Sequence, residues 1–440
     1  LNVELRTGSY QRYGGDIGYG MGSDTTHFGF VAGIEALQGF SATNPKNFWN
    51  YDPDKDGYQN SHFGLNAQTV LGTQTVAFSG LINQAETEFD QGKTQSDSYN
   101  WSGSVSGPLN DMWSHHLSIG QYDEKLDTPA YSSVFGSHRN SIDWVNTIIA
   151  NPSSQWVLGL NFAQEQGFSN GYDGPEFNQT NHNLGLFAVF NATIEKHNVE
   201  LATRYDDNSQ FGAKSTSSAG WAWQLNDSNR IRASWGQGFR APNFNELYYP
   251  GFFGLYEGNP NLEPEQSESI EMGYRVNFNK TIQLEFSVYD NKIKDLISFS
   301  GENNQAININ QAQIKGIEAD FNGINGNWLW RLQGTWDHAI NEETNQQLLR
   351  RPKLKGFSSL TYQFSKGTLG TEISAFSNRP DIATTLPGYT LVNVLGSWDI
   401  TQTWQAEARL ENLFNVEYQQ LDGYNTPGRS IFIRLIYQAK

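Results

Sequence analysis

The stretch Gly238–Arg275, GFRAPNFNELYYPGFFGLYEGNPNLEPEQSESIEMGYR, joins two amphipathic strand-like segments through a long connection rich in aromatic residues and in Gly, Asn and Pro. A strand, an irregular connection of that length and a returning strand make one hairpin. The same grammar can be followed outward in both directions.

Apolar and polar residues alternate with period two in many segments, the mark of a strand whose two faces meet different surroundings. In Thr281–Tyr289, Ile282, Leu284, Phe286 and Val288 alternate with Gln283, Glu285, Ser287 and Tyr289. Trp328, Trp330, Leu332 and Trp336 are set against Arg331, Gln333 and Thr335, and Ala406, Ala408 and Leu410 against Gln405, Glu407 and Arg409. A sandwich with a dry core and a barrel with a wet lumen give the same alternation with the faces exchanged. The connections separate the two.

Short turn signals stand near Gly22–Thr26, Gly72–Gln74, Pro108–Asp111, Asn151–Ser154, Glu195–Asn198, Asn226–Asn229, Asn277–Lys280, Asn325–Asn327, Ser365–Gly367 and Asp399–Gln402. Between them lie longer polar segments, read as loops: Ser41–Asn60, Glu88–Asn100, Asp123–Asn140, Gln166–Asn181, Asp206–Ser217 and Asn341–Lys353. Short turns at one end and long loops at the other is the asymmetry of an outer-membrane barrel. Ten short turns with both termini on their side give eleven hairpins and hence 22 strands. Each strand with its connection then has about 20 residues, enough for the roughly 10 that cross a bilayer. The expected fold is an all-β, 22-stranded antiparallel transmembrane barrel spanning residues 1–440, with short periplasmic turns and long extracellular loops. Trp101, Trp113, Trp221, Trp404 and Tyr437 fall near strand ends, where aromatic girdles form.

Composition agrees. The chain has 14% aromatic residues, no cysteine and a formal charge of −17, and no run approaches the ~20 apolar residues of a membrane helix. A nucleic-acid partner is excluded by the missing basic stripe, and thiolate metal ligands by the missing cysteine. No nucleophile, base and orienting acid stand out in sequence, so no enzyme is expected.

The opening stretch resembles the signature of TonB-dependent outer-membrane receptors: Arg240-Ala241-Pro242 ends a strand, and Asn259–Ser267 with Glu271 opens the next. Gly316-Ile317-Glu318-Ala319, Glu411-Asn412-Leu413-Phe414-Asn415 with Tyr418, and Gly428-Arg429 before a last strand with Ile431, Ile433, Leu435 and Tyr437 on one face are similar to further family elements. Within the family, Ala202–Gly212, Tyr289-Asp290-Asn291 and Leu348-Leu349-Arg350-Arg351 resemble the cobalamin receptors. The resemblance implies a cell outer membrane of a Gram-negative bacterium and lipid around the wall. It also implies capture of cobalamin or another scarce nutrient at external loops, a siderophore receptor being the nearest rival.

The same resemblance implies a calcium site in an aspartate-rich loop, with Asp52, Asp54 and Asp56 in DPDKDG and Asp90 and Asp97 in the next hairpin. Calcium takes 6–8 oxygens, and alternate aspartates can converge on one ion. The plain alternative is a solvated, turn-forming loop without metal. No other cofactor is required. For ligand contact the candidates are Asp206, Asp207 and Asn208, and the aromatics Tyr248, Tyr249, Phe252, Phe253 and Tyr256. A hydrogen-bonded loop end and an aromatic loop packed on itself are the alternatives. Glu200, Arg232, Glu285, Arg331, Glu407 and Arg409 read as a cross-strand wall around the lumen.

Receptors of this family carry a plug in the lumen and a segment that engages TonB. Leu1–Leu5 already reads as a strand, and no plug is recognised in the 440 residues. TonB is therefore expected as a partner only if a plug is supplied by another chain or was removed. The remaining alternative is a plugless, porin-like pore or structural barrel whose lumen is open or filled by a partner protein.

Overall fold

The computed structural model describes residues 1–47, 51–251, 254–299 and 301–439. Its wall is made of 22 strands in chain order. The first eight are β1 (Asn2–Gly8), β2 (Arg12–Gly22), β3 (Thr26–Phe40), β4 (Asp56–Leu71), β5 (Gln74–Phe89), β6 (Gly92–Asn110), β7 (Trp113–Thr128) and β8 (Ser133–Asn151). Next come β9 (Ser154–Gly171), β10 (Gly174–Ile194), β11 (His197–Asn208), β12 (Gly212–Asn226), β13 (Asn229–Arg240), β14 (Glu265–Asn277) and β15 (Ile282–Phe299). The last seven are β16 (Ala306–Asn325), β17 (Trp328–Asn341), β18 (Leu354–Phe364), β19 (Gly367–Phe376), β20 (Tyr389–Asp399), β21 (Trp404–Glu411) and β22 (Ser430–Gln438). Each pairs antiparallel with its neighbours, and β1 closes the ring on β22 in a register from Asn2↔Gln438 to Gly8↔Phe432.

The ring leaves no unpaired edge, the condition for a sheet to cross hydrocarbon. Burial is inverted relative to a water-soluble fold. Large apolar side chains such as Ile34, Ile82, Leu186, Met272, Leu332 and Ile433 lie exposed on the outer face, while fully buried apolar side chains are few. Alternation puts polar partners on the inner face, where Arg232 reaches Glu271 at 2.6 Å and Glu285 at 3.1 Å. Arg409 joins Glu372 and Glu411, and Arg434 joins Glu407. Arg331 bonds Asp320 across the same wall, and Glu200 lines a cavity with Arg230 and Arg232.

All ten short turns lie where the sequence places them. The external end differs. Glu88–Asn100, Asp123–Asn140, Gln166–Asn181 and Asp206–Ser217, read as loops, are mostly strand, with tips at 90–91, 129–132, 172–173 and 209–211. Above the bilayer both faces of a strand meet water, so the alternation fades although the backbone ladder continues. Long connections remain at 41–55, 241–264, 342–353, 377–388 and 412–429. Among the predicted girdle residues, the Trp404 and Tyr437 rings meet at 4.9 Å in a tilted arrangement, and Trp221 stacks on His197.

Candidate cation and ligand site

Asp54 in the loop 41–55, Asp56 at the start of β4 and Asp90 in the β5–β6 tip each offer a carboxylate oxygen within 4.8 Å of the others. The convergence has a local cause. Gly39, at φ 73°, opens a bulge between Leu37 and Phe40, and a Cβ there would lie 1.8 Å from the Asp56 carbonyl oxygen. Only glycine lets the two strands approach so closely in that conformation. The neighbouring hairpin then delivers Asp90 alongside.

The cluster is under-satisfied. Asp90 is 6% exposed, and its Oδ1 has no partner; the Oδ1 of Asp56 is likewise buried and unpaired. The Oδ2 of Asp56 accepts the Ala42 amide at 2.6 Å, and Glu88 accepts the Gly57 amide at 2.9 Å. Burial, and then the Asp90, Asp54 and Glu88 carboxylates, push the Asp56 pKa up against the opposing bond from Ala42. Asp54 is also raised, by desolvation first and then by Asp52, Asp90 and Glu88. Crowded, partly buried carboxylates with free oxygens fit a hard cation, which would remove both the repulsion and the missing bonds.

The other predicted aspartates stand apart. Asp52 is exposed; its carbonyl accepts the Ser41 hydroxyl, and its Oδ1 lies 3.4 Å from the Asp54 amide. Asp97 lies along β6, accepts from the Gln84 side chain at 3.0 Å, and shares the outer face with Tyr99. It is not brought to the cluster.

The ligand candidates divide in the same way. Asp206 is held by both Nε and Nη2 of Arg204, at 2.7 and 2.6 Å, and by Asn183 at 2.8 Å. Asp207 is exposed on the face of Tyr205, outside the lumen. Asn208 is buried, and its side chain accepts the amides of Gln210 and Phe211, closing the hairpin. These three form a hydrogen-bonded strand end.

The aromatic connection 241–264 packs on itself and on its neighbours. The short helix α1 (Phe244–Tyr248) is fixed by a capping box between Asn243 and Glu246. Arg240 grips Glu246 at 2.9 Å and Glu265 at 2.6 Å. Leu247, Leu262 and Ala306 make a small core with Phe211, Tyr248 and Ile297 around it. Tyr248 meets the Phe177 ring and accepts from Gln210, while Tyr249 lies 5.9 Å from the Phe135 ring. Phe244 sits over Gly167, where a Cβ would come within 2.4 Å of its ring. Tyr256 is exposed at φ 60°, and Phe252 and Phe253 lie outside the described residues.

One rim element has no sequence signal. The Asp381 side chain is 2% exposed and accepts from Arg350 Nε at 2.9 Å and from the amides of Ile382 and Asp422, each at 2.8 Å. Burial raises its pKa, but these donors outweigh it and hold the carboxyl below its ordinary value. Loops 342–353, 377–388 and 412–429 thus meet at one carboxylate. Loop 412–429 is in turn laddered to loop 41–55, through the Thr43↔Tyr424 bridge and the Asn425 side chain bonded to the carbonyls of Ser41 and Thr43.

The closed wall, the asymmetric ends and the polar lumen define an outer-membrane barrel, and comparison with known proteins specifies it. Residues 2–413 match the family described as "TonB dependent receptor-like, beta-barrel", and the chain belongs to that family. It is 28% identical to the vitamin B12 transporter BtuB of Vibrio vulnificus over 443 aligned positions, covering 94% of this chain and 70% of that protein. The vitamin B12 transporter BtuB of Photobacterium profundum is 25% identical, with 98% and 72% covered. Among solved structures, the copper transporter OprC superposes with a TM-score of 0.83 at 16% identity, covering 99% of this chain and 79% of the other. The ferric enterobactin receptor PfeA of Pseudomonas aeruginosa gives a TM-score of 0.82 at 13% identity, covering 99% and 80%. These structures share the fold. The chain is accordingly a transport-receptor barrel of the Gram-negative outer membrane.

Proposed function

We propose that this barrel captures a cobalamin at its extracellular rim for uptake energised through TonB and a plug. The observation that carries the reading is similarity to vitamin B12 transporters over almost the whole chain. The acidic cluster supports it: Asp54, Asp56 and Asp90 would hold a calcium ion that fixes the loop 41–55 against the β5–β6 tip. A fixed loop costs less entropy to order when ligand arrives. Ligand contact by Tyr256 and by the face around Tyr248 and Tyr249 belongs to the same proposal.

The test is equilibrium binding of cyanocobalamin to the purified chain in detergent, with calcium chloride or with EGTA, beside a ferric catecholate siderophore. Saturable cyanocobalamin binding that weakens in EGTA supports the proposal. Binding of the siderophore alone, or of neither compound, would refute it.

A further inference from the structure

The two peptide units of Ala42 face different partners. Its amide donates to Asp56 Oδ2 at 2.6 Å, and its carbonyl accepts the amide of Asn425 at 2.8 Å. Asp56 belongs to the acidic cluster, whereas Asn425 lies in the connection 412–429 before the last strand. The Asn425 side chain holds the residues on either side of Ala42, its Nδ2 donating to the carbonyls of Ser41 at 2.9 Å and Thr43 at 2.6 Å. Three successive carbonyls of loop 41–55 are thus bound by one residue of the last loop. The Asn44 amide adds a further rung to the Gly423 carbonyl at 3.0 Å.

A second thread reaches Asp56 from β22. Ser430 donates its hydroxyl to the Tyr10 hydroxyl at 2.9 Å, and the Tyr10 carbonyl accepts the amides of Gln38 at 2.9 Å and Gly39 at 3.4 Å. Those two residues form the bulge beside which Phe40 pairs with Asp56. Beyond Asn425, the Asp422 amide donates to Asp381, the carboxylate shared with loops 342–353 and 377–388. Loop 41–55 therefore stands between the acidic cluster and the anchor of the last three loops. With Asp56 Oδ2 occupied by Ala42, Oδ1 is the oxygen left buried without a partner.

We infer that Asn425 is a positioning residue of the cation site, and that a divalent cation held by Asp54, Asp56 and Asp90 fastens loops 412–429 and 377–388 through it. Without the cation the carboxylates repel one another, and any retreat of Asp56 carries Ala42 away from Asn425. A bound cation draws the carboxylates together and sets the carbonyls of Ser41, Ala42 and Thr43 where Asn425 reaches them. A ligand stabilises every contact made by the arrangement it selects, and coupling between two sites is reciprocal. Calcium therefore orders the last loops, and Asn425 in return tightens calcium. This coupling rests on the cation reading of the cluster and holds whichever nutrient the barrel takes.

The test combines calcium titration calorimetry with hydrogen exchange read by mass spectrometry, on the purified 440-residue barrel in detergent. Relative to EGTA, saturating calcium chloride is expected to slow exchange in 412–429 and 377–388 by on the order of fivefold or more, as well as in 41–55 and the 90–91 tip. The 129–132 tip should not respond. Asn425→Ala should weaken calcium binding by a similar factor and abolish the calcium-dependent protection of 412–429 and 377–388, while 41–55 stays protected at saturation. Asn425→Asp keeps the size but cannot donate to the carbonyls, and should behave like the alanine variant. Asn308 donates in the same manner to the carbonyls of Glu263 and Asp295, outside the relay, and Asn308→Ala should bind calcium like the parent. An unchanged heat-modified mobility shows that each variant is folded. Looser 412–429 in Asn425→Ala with unaltered calcium affinity would make Asn425 merely structural and overturn the inference. Calcium protection of the parent confined to 41–55 and 90–91 would overturn it too, leaving the cation site standing, whereas a parent that binds no calcium would remove both.

Discussion

Replacing Asp381 by alanine removes an acceptor that serves three loops at once. The amides of Ile382 and Asp422 each donate to this carboxylate at 2.8 Å, and each loses a charge-assisted bond worth about 1.5–3 kcal/mol when left without an acceptor. The Arg350 side chain is 44% exposed and re-solvates, so its pair adds only ~0–1 kcal/mol. The sum, roughly 3–7 kcal/mol, corresponds to an increase on the order of 10²–10⁵ in local opening. Hydrogen exchange read by mass spectrometry should show that increase in peptides from 377–388 and 412–429 and none in the hairpin tip 129–132. Because the folded pKa is depressed, the stabilisation is present above the unfolded value and is lost as pH falls through the folded one. The difference between parent and variant should therefore persist from pH 7 to pH 5. Unchanged protection in both loops, or a loss spread evenly around the rim, would refute the assignment of Asp381 as their common anchor.

Asp90→Asn removes a buried carboxylate from the acidic cluster, and calcium affinity measured by titration calorimetry should fall by roughly tenfold or more; an unchanged affinity would count against the site. For Asp56 the sign is opposite to that for Asp381. Its folded pKa is raised, so repulsion destabilises the cation-free loop above that pKa and is relieved as pH falls through it. In EDTA, exchange of 41–55, corrected for intrinsic rates, should slow as the pH is lowered through the raised pKa of Asp56. Leu247→Ala opens a cavity in the small core of the 241–264 connection at a cost of about 2–5 kcal/mol. Limited proteolysis should then cut that connection faster while the heat-modified mobility of the barrel stays unchanged.

The wall is legible in the sequence because hydrocarbon imposes alternation on every crossing segment. Ile282 to Val288 and Ile431 to Tyr437 need no tertiary context to be read as one-sided strands. Above the bilayer that constraint lapses, and 88–100 or 166–181 then read as loops although their backbones stay paired. The acidic site is half legible. The spacing of Asp54 and Asp56 shows in the sequence, whereas the approach of Asp90 depends on the Gly39 bulge. Asp97 falls outside the cluster because strand parity turns it outward to Gln84. Asp381 gives no local signal, since its partners Arg350 and Asp422 come from other hairpins. Tyr248 and Tyr249 look like a free aromatic surface in one dimension, but Phe177 and Phe135 arrive from β10 and β8 to cover them.

The ladder between loops 41–55 and 412–429 bears on the order in which the molecule is assembled. Asn425 reaches Ser41 across 384 positions of sequence, and Ser430 and Ile431 bond Tyr10 and Ser9 beside it. Contacts so distant in the chain form last, because the intervening hairpins must be in place before the ends can meet. A slip of β22 along β1 would move every outer side chain and would also misalign Asn425 with the carbonyls it bridges. The loops outside the membrane thus check a seam made inside it, and a barrel closed in the wrong register would be marked by a last loop left unfastened.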